Sequence, residues 1–128
     1  RLAGKVDRVL VDAPCSGLGT LRRNPDLKWR QSEESVLELA VKQAAILEAA
    51  ARLARPGGRV VYATCSLLAA ENEAIVDAFL AAHPEFSLTP AADVLAKHGI
   101  TTEGDTLRLL PHRHHTDGFF AAVLDRKA

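Results

Sequence analysis

The sequence predicts an α/β fold on a mostly parallel sheet. Short β-branched runs at residues 6–11 and 59–64 alternate with helix-periodic stretches opening at residues 32 and 70. A strand–helix–strand–helix–strand order implies parallel strands joined by right-handed crossovers. Size bounds the answer: 128 residues, 48% hydrophobic and 25% charged, make one ordinary globular domain.

The first strand is Val6-Asp-Arg-Val-Leu-Val11, read as buried. Asp12-Ala-Pro-Cys-Ser-Gly17 follows, rich in turn formers. Residues 18–30 are irregular and basic, with Arg22, Arg23, Lys28 and Arg30 against Asp26. Ser32 caps the first helix, and Glu33 and Glu34 sit where the helix dipole favours acids. Leu39, Ile46 and Leu53 recur along it, and Val36, Ala40, Leu47 and Ala50 widen the stripe. Pro56-Gly57-Gly58 is read as the terminator of that helix, with Gly57 in the left-handed cap. Residues 59–64 form the second strand. Residues 70–82 form the second helix, burying Ile75, Val76, Phe79 and Leu80, and Pro84 stops it. A short strand at 86–88, a helical turn at 92–97, an extended piece at 107–110 and a last strand at 118–124 complete the chain. The expected core gathers Leu39, Ile46, Val60, Val61, Ile75 and Phe79.

Composition excludes several classes. Lys+Arg and Asp+Glu are both 16, so the net charge is zero. The balance argues against a disordered tail and a strongly basic nucleic-acid binder, and leaves room for a local basic patch. No apolar run reaches the roughly 18 residues of a membrane helix, and nothing resembles a signal peptide. Two cysteines are too few for a disulfide scaffold, so a reducing, cytoplasmic setting is the expectation. Met is absent and the first residue is Arg1, so the sequence reads as a piece of a longer protein. The strand at 6–11 is then expected to have an open edge and to self-associate through Val6, Val9 and Val11.

Parallel sheets bind ligands at the carboxyl ends of their strands. Asp12 ends the first strand and Cys65 follows the second, so both loops fall on one sheet edge. Cys65 precedes a helix start, a setting that lowers a thiol pKa; the plainer reading is a small core cysteine. A structural disulfide between Cys15 and Cys65 is conceivable across adjacent strands, and a reducing compartment disfavours it.

Three motifs carry a family resemblance over nearly the whole chain. They are Asp12–Gly17 with Arg22-Arg-Asn-Pro-Asp-Leu-Lys-Trp29, then residues 56–66 with Glu71-Asn-Glu73, then Pro111-His-Arg-His-His-Thr-Asp-Gly-Phe-Phe120. Together they resemble the Sun/Fmu-type RNA cytosine-5 methyltransferases, which include bacterial enzymes acting on small-subunit ribosomal RNA. The resemblance implies the C-terminal half of a Rossmann-like, S-adenosylmethionine-dependent methyltransferase domain, its last strand antiparallel. Residues 1–128 would be part of a catalytic domain whose cofactor-loop half lies upstream. Pro56-Gly57-Gly58 looks like that loop, but a cofactor loop follows a strand and precedes a helix, and here the order is reversed.

The implied chemistry explains two thiols. Cytosine C5 is a poor nucleophile until a thiolate adds at C6 and makes the ring an enamine. Methyl transfer, loss of the C5 proton and departure of the thiolate follow, which is covalent catalysis in steps. By resemblance Cys65 attacks, Cys15 assists release, and Asp12 stands beside both cofactor and cytosine. DNA cytosine-5 methyltransferases use the Pro-Cys cysteine instead, so the assignment rests on Thr64-Cys65-Ser66. Pro14, Ser16, Arg22 and Arg23 are read as substrate contacts, with RNA, most of all ribosomal RNA, as partner. The plainer readings are an Asx turn for Asp12, a solvated loop for the arginines and core packing for Trp29. His112, His114 and His115 lack further ligands at metal spacing, and a metal is rejected. Two rivals remain: a non-catalytic RNA-binding relic of the family, and a redox module. The latter predicts a Cys-x-x-Cys pair, whereas these cysteines stand 50 positions apart.

Overall fold

The computed structural model describes residues 2–21, 23–26, 32–102, 104–114 and 116–128. Arg22, Lys28, Trp29, Arg30 and His115, and the side chain of His112, lie outside the described part. The strands are β1 (Val6–Asp12), β2 (Ala54–Thr64), β3 (Phe86–Thr89), β4 (Leu107–Leu109) and β5 (Phe119–Arg126). The helices are α1 (Glu33–Ala51), α2 (Glu73–Ala82), α3 (Ala91–Ala96) and α4 (Pro111–His114), with a 3-10 turn at Leu18–Thr20.

The sheet order is β1-β2-β5-β3, with β4 also on β5. β1 and β2 pair in parallel, and β5 runs antiparallel to β2, β3 and β4. Four strands therefore point one way and the last points back, as the resemblance implied. Residues 120–124 of β5 are buried without interruption, the pattern of a central strand covered on both faces. Among the described residues no helix is long and apolar enough to cross a membrane.

Ser32 starts α1 through reciprocal bonds. Its Oγ accepts the Ser35 N–H at 3.1 Å, and Ser35 Oγ accepts the Ser32 N–H at 2.9 Å. Such a cap contributes about 1 kcal/mol. The buried side of α1 differs from the expected stripe. Gln43, Leu47, Ala50 and Ala51 are buried, Leu39 is half-buried, and Ile46 is 38% exposed. Seven-residue spacing locates an apolar stripe but not which part of it meets the sheet. The core forms where Leu47 meets Val60, Tyr62, Ile75, Val76, Phe79, Phe120 and Leu124.

Pro56-Gly57-Gly58 does not end the helix. α1 stops at Ala51 with Arg52 as an ordinary right-handed C-cap (φ −64°, ψ −21°). The three residues sit inside β2 as a bulge. Val6 pairs with Ala54 and Arg8 with Arg59, so two steps along β1 match five along β2. Pro56 offers no N–H to a ladder, and Gly57 takes φ +81°. A Cβ on Gly58 would lie 2.8 Å from the Arg55 carbonyl oxygen and 3.1 Å from that of Val6. The turn chemistry was legible; its place in a strand was not.

β1 also departs from expectation. Val11 is buried, Val6 and Val9 are half-buried, and Leu10 is 71% exposed. One face packs on the core and the other faces outward. Helix α2 begins at Glu73, not at residue 70, because Glu71 and Asn72 are drawn into the loop before it.

His83 closes α2 and ties it to α1. Its ring stacks on Phe79 at 4.4 Å, its Nε2 bonds the Glu48 carboxylate, and its Nδ1 lies 3.6 Å from Glu85. The hydrogen bond to Glu48, with help from Glu85, raises the imidazole above its ordinary value of 6.5. A raised folded-state pKa stabilises fully below the unfolded value and is lost as pH rises through the folded one. The expected outcome is a melting temperature that falls as pH rises above about 6.5. Partial exposure keeps the effect under about 1 kcal/mol. Glu48→Gln should flatten that slope in a pH series of thermal melts.

Candidate active site

Parallel pairing brings β1 and β2 to one edge in step. Asp12 pairs with Ala63, and the Ala13 N–H reaches the Ala63 carbonyl at 3.0 Å. Past that point the chains turn into two loops, and their cysteines meet with Cys15 Sγ 3.2 Å from Cys65 Sγ. Both are free thiols of intermediate burial.

A third loop locks the first two. Gly19 N–H donates to the Cys65 carbonyl at 2.8 Å, and Gly118 N–H donates to the Gly19 carbonyl at 2.6 Å. A Cβ on Gly19 would stand 2.4 Å from the Gly118 carbonyl oxygen and 2.5 Å from that of Cys65. One on Gly118 would meet the Leu67 side chain at 2.4 Å. Only glycine permits this crossing.

Beneath the thiols lies a buried polar cluster. The Glu71 carboxylate accepts from Ser16 N–H (2.8 Å), Ser16 Oγ (2.5 Å), Ser66 Oγ (2.6 Å) and Gln43 Nε2 (2.9 Å). Gln43 also donates to the Pro14 carbonyl at 2.8 Å, so α1 grips the first loop. Tyr62 donates its hydroxyl to the Glu71 carbonyl at 2.7 Å, and burial pushes that phenol up so that it keeps its proton. Asn72 Nδ2 donates to the Ser66 carbonyl at 2.9 Å, and Thr64 Oγ1 donates to Asn72 Oδ1 at 2.5 Å. Asn72 precedes α2 but makes no side-chain cap; its amide serves the loop instead.

Burial acts strongly on one of the two cysteines. Burial, and then the hydrogen bond with Cys65, push the Cys15 thiol up to about 12. Cys15 therefore carries its proton at neutral pH, with the Cys65 sulfur within hydrogen-bonding reach.

The structure brings Asp12, Pro14, Cys15, Ser16 and Cys65 to one place. Asp12 and Pro14 are exposed at its mouth. Ser16 is turned inward at 2% exposure, with its N–H and hydroxyl on Glu71. Arg23 stands at the rim, 63% exposed, with its guanidinium 2.6 Å from Asp117. That hydrogen bond raises the Arg23 pKa. Arg22 lies outside the described residues. His114 Nδ1 accepts the Leu110 N–H at 3.0 Å within α4. The Pro56–Gly58 bulge is at the start of β2, at the far end of the strand from Cys65. Asp12 suits the amino or hydroxyl group of a cofactor, and that bulge is too distant to contribute.

Sequence reasoning passed over Gln43, Tyr62, Gly19, Gly118 and the partnerships of Glu71 and Asn72. The available signals were a polar Gln43 inside an apolar stripe and two Cys-Ser steps facing one acid.

The chain is similar to proteins of known sequence and structure. A Synechocystis relative named "Probable ribosomal RNA small subunit methyltransferase B" is 47% identical over 123 residues, 94% of this chain and 27% of the relative. Ribosomal RNA small subunit methyltransferase B of Yersinia pseudotuberculosis is 43% identical over 121 residues, 94% of this chain and 26% of the relative. The chain thus spans about a quarter of the length of these curated relatives. The crystal structure of NSun6 from Pyrococcus horikoshii with SFG superimposes with a TM-score of 0.75 at 30% identity, covering 93% of this chain and 29% of that one. Residues 1–125 match the family model described as 16S rRNA methyltransferase RsmB/F, and the chain belongs to that family.

Proposed function

We propose that the protein is an S-adenosylmethionine-dependent cytosine-5 methyltransferase of ribosomal RNA, and that this chain supplies its thiol pair. The observation that carries the reading is the 3.2 Å contact between Cys65 and a Cys15 that keeps its proton. The Cys65 thiolate adds to C6 of cytosine, forming a C–S bond and an enamine nucleophilic at C5. S-adenosylmethionine, when bound, supplies the activated methyl group. A base then takes the C5 proton, the C5–C6 double bond re-forms, and the C6–S electron pair returns to Cys65. Cys15 is placed to donate a hydrogen bond to that returning sulfur, which favours its departure.

Asp12 accepts from the cofactor's amino group or the cytosine exocyclic amine. Pro14 and Arg23 contribute at the exposed mouth, Ser16 acts from within by holding the loop, and Arg22, outside the described residues, is read as a further RNA contact from its sequence alone. Family membership and a relative solved with SFG, a cofactor analogue, support the choice of cofactor. Two free thiols in contact suit a reducing, cytoplasmic setting.

Two outcomes test this reading, and a third tests the edge of β1. In the full-length protein, Cys65→Ala abolishes a covalent RNA adduct on denaturing gels, and Cys15→Ala makes it accumulate. An adduct surviving Cys65→Ala would overturn the assignment. The 128-residue chain alone binds S-adenosylmethionine weakly or not at all, because on this reading it keeps Asp12 but not the loop that holds most of the ligand; a micromolar dissociation constant by calorimetry contradicts this. Finally, the chain self-associates through β1, where Leu10 is 71% exposed beside half-buried Val6 and Val9. Light scattering over a concentration series should show it, and Val9→Lys should suppress it. A stable monomer at high concentration would dismiss the idea.

A further inference from the structure

The role of Glu71 rests on the methyltransferase reading and extends it. Each cysteine is followed by a serine, and the two serines lie side by side with Oγ atoms 3.5 Å apart. Ser16 Oγ accepts the Leu18 N–H at 3.3 Å, and Ser66 Oγ accepts the Leu68 N–H at 3.1 Å. Each hydroxyl has a single proton. Both protons go to the same oxygen, Oε1 of Glu71, at 2.5 and 2.6 Å. Oε2 is held by the Ser16 N–H and by Gln43.

We propose that Glu71 is the positioning residue of the thiol pair. One buried carboxylate clamps two matched Cys-Ser steps, and that clamp sets the distance between Cys15 and Cys65. Glu71 has no exposed surface, so it reaches RNA only through the loops it holds. Only an acid suits the position. A glutamine keeping its carbonyl at Oε1 would turn an NH2 group towards two donors, the Ser16 N–H and the Gln43 amide. Aspartate is one methylene short and cannot span both loops from the same backbone. Displacements on the scale of 1 Å cost on the order of 100-fold in rate, so loosening the clamp should slow turnover while leaving RNA binding at the rim intact.

The test compares Glu71→Gln and Ser66→Ala with wild type in the full-length protein, well below each melting temperature. The first readout needs no RNA. Diamide takes up two hydrogens as the two thiols join, and peptide mass mapping follows the Cys15–Cys65 disulfide. The expected result is a rate lowered about tenfold or more in Glu71→Gln and by less in Ser66→Ala. The second readout is methyl transfer, where kcat should fall on the order of 100-fold in Glu71→Gln with KM for RNA unchanged. Folded Glu71→Gln protein with wild-type disulfide rate and kcat would overturn the proposal. If Glu71→Gln fails to fold, Ser66→Ala decides: a slower disulfide with a lower kcat supports the clamp, and wild-type values refute it. A wild-type protein that methylates no RNA cytosine would sink the functional reading, and the disulfide rates would still judge Glu71.

Discussion

A carboxylate with no exposed surface carries much of this structure. Burying Glu71 costs several kcal/mol in lost hydration. Four donors answer it, and hydrogen bonds to a charged group contribute about 1.5–3 kcal/mol each, so the cluster offsets the cost when complete. Removing one donor leaves a buried lone pair unanswered, so the cluster is costly to leave partly satisfied. The donors come from three segments: Gln43 from α1, Ser16 from the loop after β1, and Ser66 from the loop after β2. A single interaction thereby decides how helix, loop and loop meet.

The sheet makes that meeting possible. Parallel pairing of β1 with β2 delivers both chains to the same edge, with Asp12 opposite Ala63. β5 then lies against β2 from Arg59–Asp125 to Thr64–Phe120, and its entry through Gly118 brings the third loop onto Gly19. Glycines at 19 and 118 let backbones touch where side chains would hold them apart. Packing and polar satisfaction act on the same few residues, so the loops are held by backbone contact above and by hydrogen bonds below.

How much of this was legible from sequence depends on the range of the signal. Local codes were readable: Ser32 caps α1, the β-branched run makes β1, and Pro84 follows the end of α2. The placement of Cys15 and Cys65 on one edge followed from strand order alone. Signals needing a partner elsewhere were not readable. Pro56-Gly57-Gly58 demands a turn, but only the pairing of Val6 and Arg8 with β2 shows that it is a bulge. Ile46 falls in the apolar stripe, yet it faces outward because the sheet meets α1 nearer Leu47. Glu71 and Gln43 look like ordinary polar residues until long-range contacts bury them.

The same distinction explains why two cysteines in near-identical Cys-Ser contexts meet different surroundings. Local sequence makes them equivalent, since each precedes a serine bound to Glu71. Asymmetry comes from what packs around them. Cys15 sits in the loop that Gln43 fastens through the Pro14 carbonyl, and burial there holds the proton on its sulfur. Cys65 lies where the Gly19 N–H binds its carbonyl, next to the loop in which Asp117 anchors the Arg23 guanidinium. A proton-bearing thiol touching a second sulfur is the arrangement the proposed release step needs. The difference in surroundings between the two thiols is therefore a property of the three-loop junction rather than of either motif by itself.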